Sequence, residues 1–154
     1  MIYRERKKDF SVVRAISEFG IGYKPGNPIK LFLDDTRNPP LNEKGWVVVR
    51  NVHDGIWFVH HYGHLIATVS LDNDLGPDPQ GYELLDWILK AYYWKPICFP
   101  LLSTFIIHTG NMPKWRKMKR MLKGSPFIVK RRVPSDRIYP RMDTDKRSIL
   151  AYKH

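Results

Sequence analysis

"LIATVSLDNDLG", residues 65–76, decides how the chain is read. Residues 65–72 begin apolar and β-branched, as in a strand buried on both faces of a sheet. Asp72 and Asp74 follow at once, where a folded core would normally refuse two carboxylates. The pattern predicts a strand that runs out of a core into a polar site.

Two other stretches end the same way. "IKLFLDD" (29–35) closes on Asp34 and Asp35, and "STFIIHTG" (103–110) closes on His108 and Thr109. "WVVVRN" (46–51) and "PFIVKRRV" (126–133) supply two more short strands, the second and the fifth in chain order. Between the first two strands, "TRNPPL" forbids a helix, because paired prolines lack the donors a helix needs.

Helices are predicted from about Asp54 through His60, after "GPDP", and over "MPKWRKMKRMLK" (112–123). In the middle one Asp78 is the expected cap, Pro79 lies in the first turn, and Leu84, Leu85, Ile88 and Tyr92 recur at helical spacing. In the last, Trp115, Met118 and Leu122 share a face and the Lys and Arg residues turn outward. Short buried strands alternating with helices or loops predict an open α/β sheet with parallel strands over 29–133. Residues 1–28 read as an N-terminal extension with a short helix, and 134–154 as an irregular basic tail able to dock on the domain.

A chain of 154 residues suits one domain with extensions. Its formal net charge of +11 favours anionic partners such as nucleic acid, nucleotides or acidic surfaces. Cys98 is the single cysteine, which excludes an internal disulfide, and no apolar run approaches the length of a membrane span or signal peptide. The expected location is a reducing cytoplasm, bacterial or of a virus-infected host.

In a parallel sheet every strand delivers its last residues to the carboxyl edge, where such folds bind ligands. Asp34, Asp35, Asp72, Asp74, His108 and Thr109 would therefore converge. Crowded carboxylates repel unless a cation neutralises them, and oxygen donors suit hard ions such as Mg²⁺, Mn²⁺ or Ca²⁺. The plainer alternative makes these acids turn residues and caps. Gly110, Asn111 and Lys114 open a basic helix, whose N–H groups attract phosphate. Lys130 is placed to reach the same edge, with Arg131 and Arg132 as equal candidates.

"KLFLDD", "SLDNDLG…GYELLDWI", "FIIHTGN" and "FIVK" together resemble the receiver fold of two-component signalling. More closely, "LFLDD.R.PP", a tryptophan with "V.R", "SLD.DLG…GY..L.W" and "H(S/T).N" resemble the cyclic-phosphate-processing receiver-like branch, over roughly 29–132. That resemblance implies a receiver-like (flavodoxin-like) three-layer fold, with a five-stranded, mainly parallel sheet and a loop in place of the first receiver helix. It implies Asp34 and Asp35 as a metal-binding pair, Asp72 at the phosphoacceptor-like position, and Asp74 and His108 as acid and imidazole peculiar to the branch. Thr109 matches the hydroxyl position and Lys130 the lysine.

The function that this resemblance implies, and that the residues fit, is a metal-dependent phosphoesterase processing cyclic phosphates of nucleotides or RNA ends, with a divalent ion, Mg²⁺ or Mn²⁺. Asp72, Asp74, His108, Thr109 and Lys130 would be catalytic, Asp34, Asp35 and Asp72 would hold the ion, and Arg37, Gly110, Asn111 and Lys114 would bind phosphate. The alternative is a non-catalytic module binding nucleic acid or a protein through its basic helix and tails, with Trp115, Tyr139 and Tyr152 as stacking surfaces. An orthodox phosphorelay receiver ranks below both, because Asp74 and His108 crowd the site and a docking helix is missing. His60 and His64 share a helical metal-ligand spacing but stand at an expected helix end, where dipole contacts are commoner. Cys98 reads as a packing residue, and "WILKAYYW" (87–94) as helix core and rim.

Overall fold

The computed structural model describes residues 26–77 and 79–147. Five strands form one sheet in the order β2-β1-β3-β4-β5: β1 (Ile29–Leu33), β2 (Trp46–Val49), β3 (Ile66–Leu71), β4 (Thr104–Ile107) and β5 (Ile128–Arg131). All neighbouring pairs are parallel, so the sheet is wholly rather than mainly so. Among the described residues three α-helices accompany it: α1 (Val52–Tyr62), α2 (Gly81–Trp94) and α3 (Met112–Leu122). The chain passes from β1 to β2 without a helix, so the first receiver helix is indeed replaced by a loop. No described helix is long and apolar enough to cross a membrane.

Right-handed crossovers in this strand order put all three helices on one face, and α1 contacts α2 as α2 contacts α3. Leu31, Leu33, Val69, Leu71, Phe105 and Ile107 share the strand parity that faces them and are buried. Phe105 meets Phe127 edge-on at 5.2 Å, and Phe127 meets Tyr92 at 4.8 Å. The opposite parity carries Phe32, Ser70 and Ile106. On that face the described third layer is the C-terminal segment rather than a helix.

That segment is fastened to the β1–β2 loop. Asn38 N–H donates to Pro140 O at 2.7 Å, Met142 N–H donates to Thr36 O at 2.8 Å, and Arg37 and Arg141 form an antiparallel bridge. Asn38 Nδ2 donates to Asp145 at 2.8 Å, and Arg147, itself paired with Asp145, donates to Pro39 O at 2.8 Å. Tyr139 lies buried under this strap.

Several expectations shift. Helix α1 starts two residues before Asp54, because the Asn51 side chain accepts the Asp54 N–H at 2.8 Å and so caps it. Helix α2 starts at Gly81, after Pro79: Gln80 and Glu83 form a capping box there. The expected cap Asp78 lies outside the described residues, as do the arm up to residue 25 and Tyr152. Cys98 is exposed rather than packed, and its neighbour Phe99 takes the buried place. Tyr93 and Trp94 are exposed at the end of α2.

Candidate active site

Register builds the site. Phe32, Ser70, Ile106 and Lys130 stand side by side across β1, β3, β4 and β5. The ladder continues past the strand ends: Asp72 N–H donates to Leu33 O, His108 N–H to Leu71 O and Arg132 N–H to Ile107 O, each at 3.0 Å. The next residues of the same parity are therefore Asp34, Asp72, His108 and Arg132, at the carboxyl edge. Lys130 is one step short of that edge and exposed. Arg132 takes the basic position, a residue that only strand pairing could single out of "KRR".

Carboxylate oxygens of Asp34, Asp35 and Asp72 lie within 4.8 Å of one another. Asp34 is fully buried. Its Oδ1 accepts the Thr36 and Arg37 N–H groups at 2.9 Å each, and its Oδ2 meets His108 Nε2 at 3.1 Å. Burial works to raise its pKa, but the His108 contact and the two backbone donors prevail and hold it below the usual carboxylate value.

Burial keeps the His108 imidazole neutral against the pull of Asp34, and its pKa is lowered. An ionised Asp34 needs a donor, so Nε2 carries the proton and Nδ1 accepts from Ser70 Oγ at 2.7 Å. Phe32 stacks on one side of the ring at 4.5 Å and Tyr139 on the other at 5.3 Å. Both nitrogens are thus engaged and the residue has no solvent exposure. His108 sits behind Asp34 and orients it.

Asp72 is partly exposed. Its pKa is raised to about 8, first by burial, then by the charge of Asp34, with further repulsion from Asp74 and Asp35. Asp74 N–H donates to Asp72 Oδ1 at 3.3 Å, and the Asp74 side chain is exposed at the rim. Between them, buried Asn73 accepts Gly81 N–H on its carbonyl at 3.0 Å and Tyr82 N–H on Oδ1 at 3.2 Å, tying the β3 loop to the start of α2. A Cβ on Gly81 would lie 1.8 Å from Asp72 O, so glycine is required there.

The other expected residues divide. Arg37 pairs with Asp136 at 2.5 Å and donates to Tyr139 O at 3.2 Å, so the C-terminal strap holds it. Thr109 is buried, and its Oγ1 accepts Asn111 N–H at 3.2 Å. Asn111 caps α3 by accepting Lys114 N–H at 3.2 Å, while Gly110 is exposed beside it. Arg132 grips Glu43 with two contacts, 3.0 and 2.9 Å, and lies beside the Tyr139 phenol. Tyr139 is buried against His108 and is unavailable for base stacking, which overturns that expectation.

Arg50 was absent from the expected set, although "V.R" was visible. It donates to Asp34 O at 3.1 Å, to Arg37 O at 2.6 Å and to Asn38 Oδ1, and so sets the loop that carries the acid pair.

The family model for the cyclic-phosphate processing receiver domain matches residues 29–124. The chain belongs to that family. No curated protein and no solved structure matches it significantly. In this cyclic-phosphate processing receiver domain, the family match ends before Arg132 and before the strap that carries Tyr139. Family membership points to a role in cyclic phosphate processing.

Proposed function

We propose that the chain is a metal-dependent phosphoesterase that opens cyclic phosphates of nucleotides or RNA ends. The observation that carries this reading is the Asp34, Asp35 and Asp72 cluster at the carboxyl edge of a domain of this family. Three oxygen donors so close, one of them pushed toward its protonated form by the other acids, fit a hard divalent cation such as Mg²⁺ or Mn²⁺. Bound there, the ion would polarise a phosphoryl oxygen and lower the pKa of a bound water.

The chain's own groups divide the remaining tasks. Asp34 is fixed by His108, Thr36 and Arg37, and Arg50 fixes the loop from beneath. Asp74, exposed at the rim, is the group open to pass a proton between water and the departing oxygen. Arg132 supplies positive charge near the edge, and Lys114 in the first turn of α3 adds to it. In the reaction water oxygen bonds to phosphorus, one ring P–O bond breaks, and the departing oxygen takes a proton, leaving a phosphomonoester.

The test is hydrolysis of a panel of 2′,3′-cyclic nucleotides, RNA with a terminal cyclic phosphate and cyclic oligonucleotides, with Mg²⁺, Mn²⁺ or chelator. Turnover that needs metal and is lost in Asp72→Asn supports the reading. Silence across the panel from folded protein overturns it.

A further inference from the structure

The charge of this chain is lopsided. Residues 87–135 contain eleven Lys and Arg and no Asp or Glu, which equals the whole formal net charge of +11, so the rest of the chain is balanced. This acid-free stretch includes α3 and β5, and β5 is an edge strand. Helix α3 concentrates Lys114, Arg116, Lys117, Lys119 and Arg120 with no carboxylate to offset them. Like charges three and four residues apart disfavour a helix, so this concentration of charge does not serve the fold.

Structure turns that charge into a recess. A groove of about 550 Å³ runs between α3 and the sheet edge, walled by Arg116, Lys119, Arg120 and Lys123 and floored by Leu122 and Val129. None of the four cations pairs with a carboxylate among the described residues. By contrast, two cations nearer the acidic edge are tied: Arg132 to Glu43 and Arg37 to Asp136. Arg116, Arg120 and Lys123 recur about once per helical turn, ~5.4 Å, and so set a line of positive charge along one side of α3.

We propose that this groove binds the phosphate backbone of single-stranded nucleic acid. A protein partner would call for an aromatic centre ringed by polar groups; here no aromatic side chain among the described residues lines the groove, and four of its six lining residues are cations. Trp115, half-buried nearby, already has Lys119 and Arg131 against its ring at 5.9 and 5.8 Å, so recognition falls to charge rather than to base stacking. The inference rests on this charge and does not require the phosphoesterase reading.

The experiment is fluorescence anisotropy of full-length protein with labelled single-stranded RNA of about 12 nucleotides, titrated across salt, with unlabelled RNA of other sequence and polyglutamate as competitors. Four phosphate contacts give a log–log salt slope of about −3. Arg116→Ala with Arg120→Ala should weaken binding about tenfold at low salt and flatten the slope by about 1.4. Both side chains are exposed, and circular dichroism checks the fold. Asp72→Asn should bind as wild type does, which separates this result from the fate of the esterase. The proposal falls if the double variant binds RNA like wild type, if affinity ignores salt, or if polyglutamate competes as well as RNA.

Discussion

At the carboxyl ends of β1, β3 and β4, Leu33, Leu71 and Ile107 point to the helix layer with no exposure, and one residue later Asp34, Asp72 and His108 point to the other face. Strand periodicity of two is all that separates the core from the candidate site. The helix face is apolar and closed by α1, α2 and α3. The opposite face holds a Ser70–His108–Asp34 chain of contacts at the same depth, roofed by Tyr139 from a segment that lies beyond the family match. One face can therefore be perturbed without the other, except where the two meet.

They meet at Gly81, so the largest effect is expected there. The first residue of α2 abuts Asp72 O so closely that Gly81→Ala must displace either the helix or the acid. Overpacking of backbone against backbone has no flexible side chain to yield, and a loss of about 3 kcal/mol is expected. Denaturant unfolding should show that loss together with disappearance of any metal-dependent rise in Tm. A variant with wild-type stability and metal response would show that the two faces are independent even here.

Asp72→Asn comes next and separates the faces by sign. The native carboxyl titrates at about 8 against an ordinary 3.8, so the folded state holds a proton that the unfolded chain releases. Stability contributed by this group is then highest below about pH 4 and falls as pH rises through 8, because the unfolded state binds fewer protons across that window. Asp72→Asn should remove this fall and leave the metal-free protein more stable than wild type at pH 8. In wild type Mg²⁺ or Mn²⁺ should restore the lost stability. Thermal unfolding from pH 5 to 8, with and without metal, reads both; parallel profiles for the two proteins would remove Asp72 from the charge cluster.

The acid pair and its companions were legible in the sequence because an apolar run cannot continue into carboxylates without leaving the core, and the parallel topology then sends all such ends to one edge. Less could be read where the answer depends on long-range pairing. Which of Lys130, Arg131 and Arg132 reaches the edge is set by the register of β5 on β4, and nothing local distinguishes them. The engagement of His108 on both nitrogens depends on Ser70, an unremarkable strand serine 38 positions away. The strap was unreadable as structure because it docks through backbone groups and scattered polar pairs, which leave no hydrophobic period. Cys98 misled for a related reason: its apolar neighbours suggested packing, but Phe99 alone turned inward.

Ser70→Ala tests the interior of the site face with a smaller effect. It leaves His108 Nδ1 buried without its donor at 2.7 Å, at an expected cost of about 1–2 kcal/mol. The imidazole loses one of the two contacts that hold its ring in place behind Asp34, so the metal-induced rise in Tm should weaken while the fold persists. Equal stability of the variant and wild type would mean that another group takes over the Nδ1 position.

The smallest effect is expected at the roof, and it separates what Tyr139 contributes by its ring from what it contributes by its hydroxyl. The ring is stacked on His108 and buried under the strap, whereas the hydroxyl is buried with Arg132 beside it but makes no well-formed hydrogen bond among the described residues. Tyr139→Phe removes only the unmatched polar atom and should change stability by less than about 0.5 kcal/mol, because deleting an unsatisfied buried hydroxyl relieves desolvation as much as it loses attraction. Tyr139→Leu keeps apolar bulk but loses the stacked plane, and should loosen His108 enough to broaden its ring resonances in NMR. If Tyr139→Phe instead costs as much as Ser70→Ala, the phenol is engaged with Arg132 in solution, and the polar chain of the site face extends from Asp34 to the edge strand.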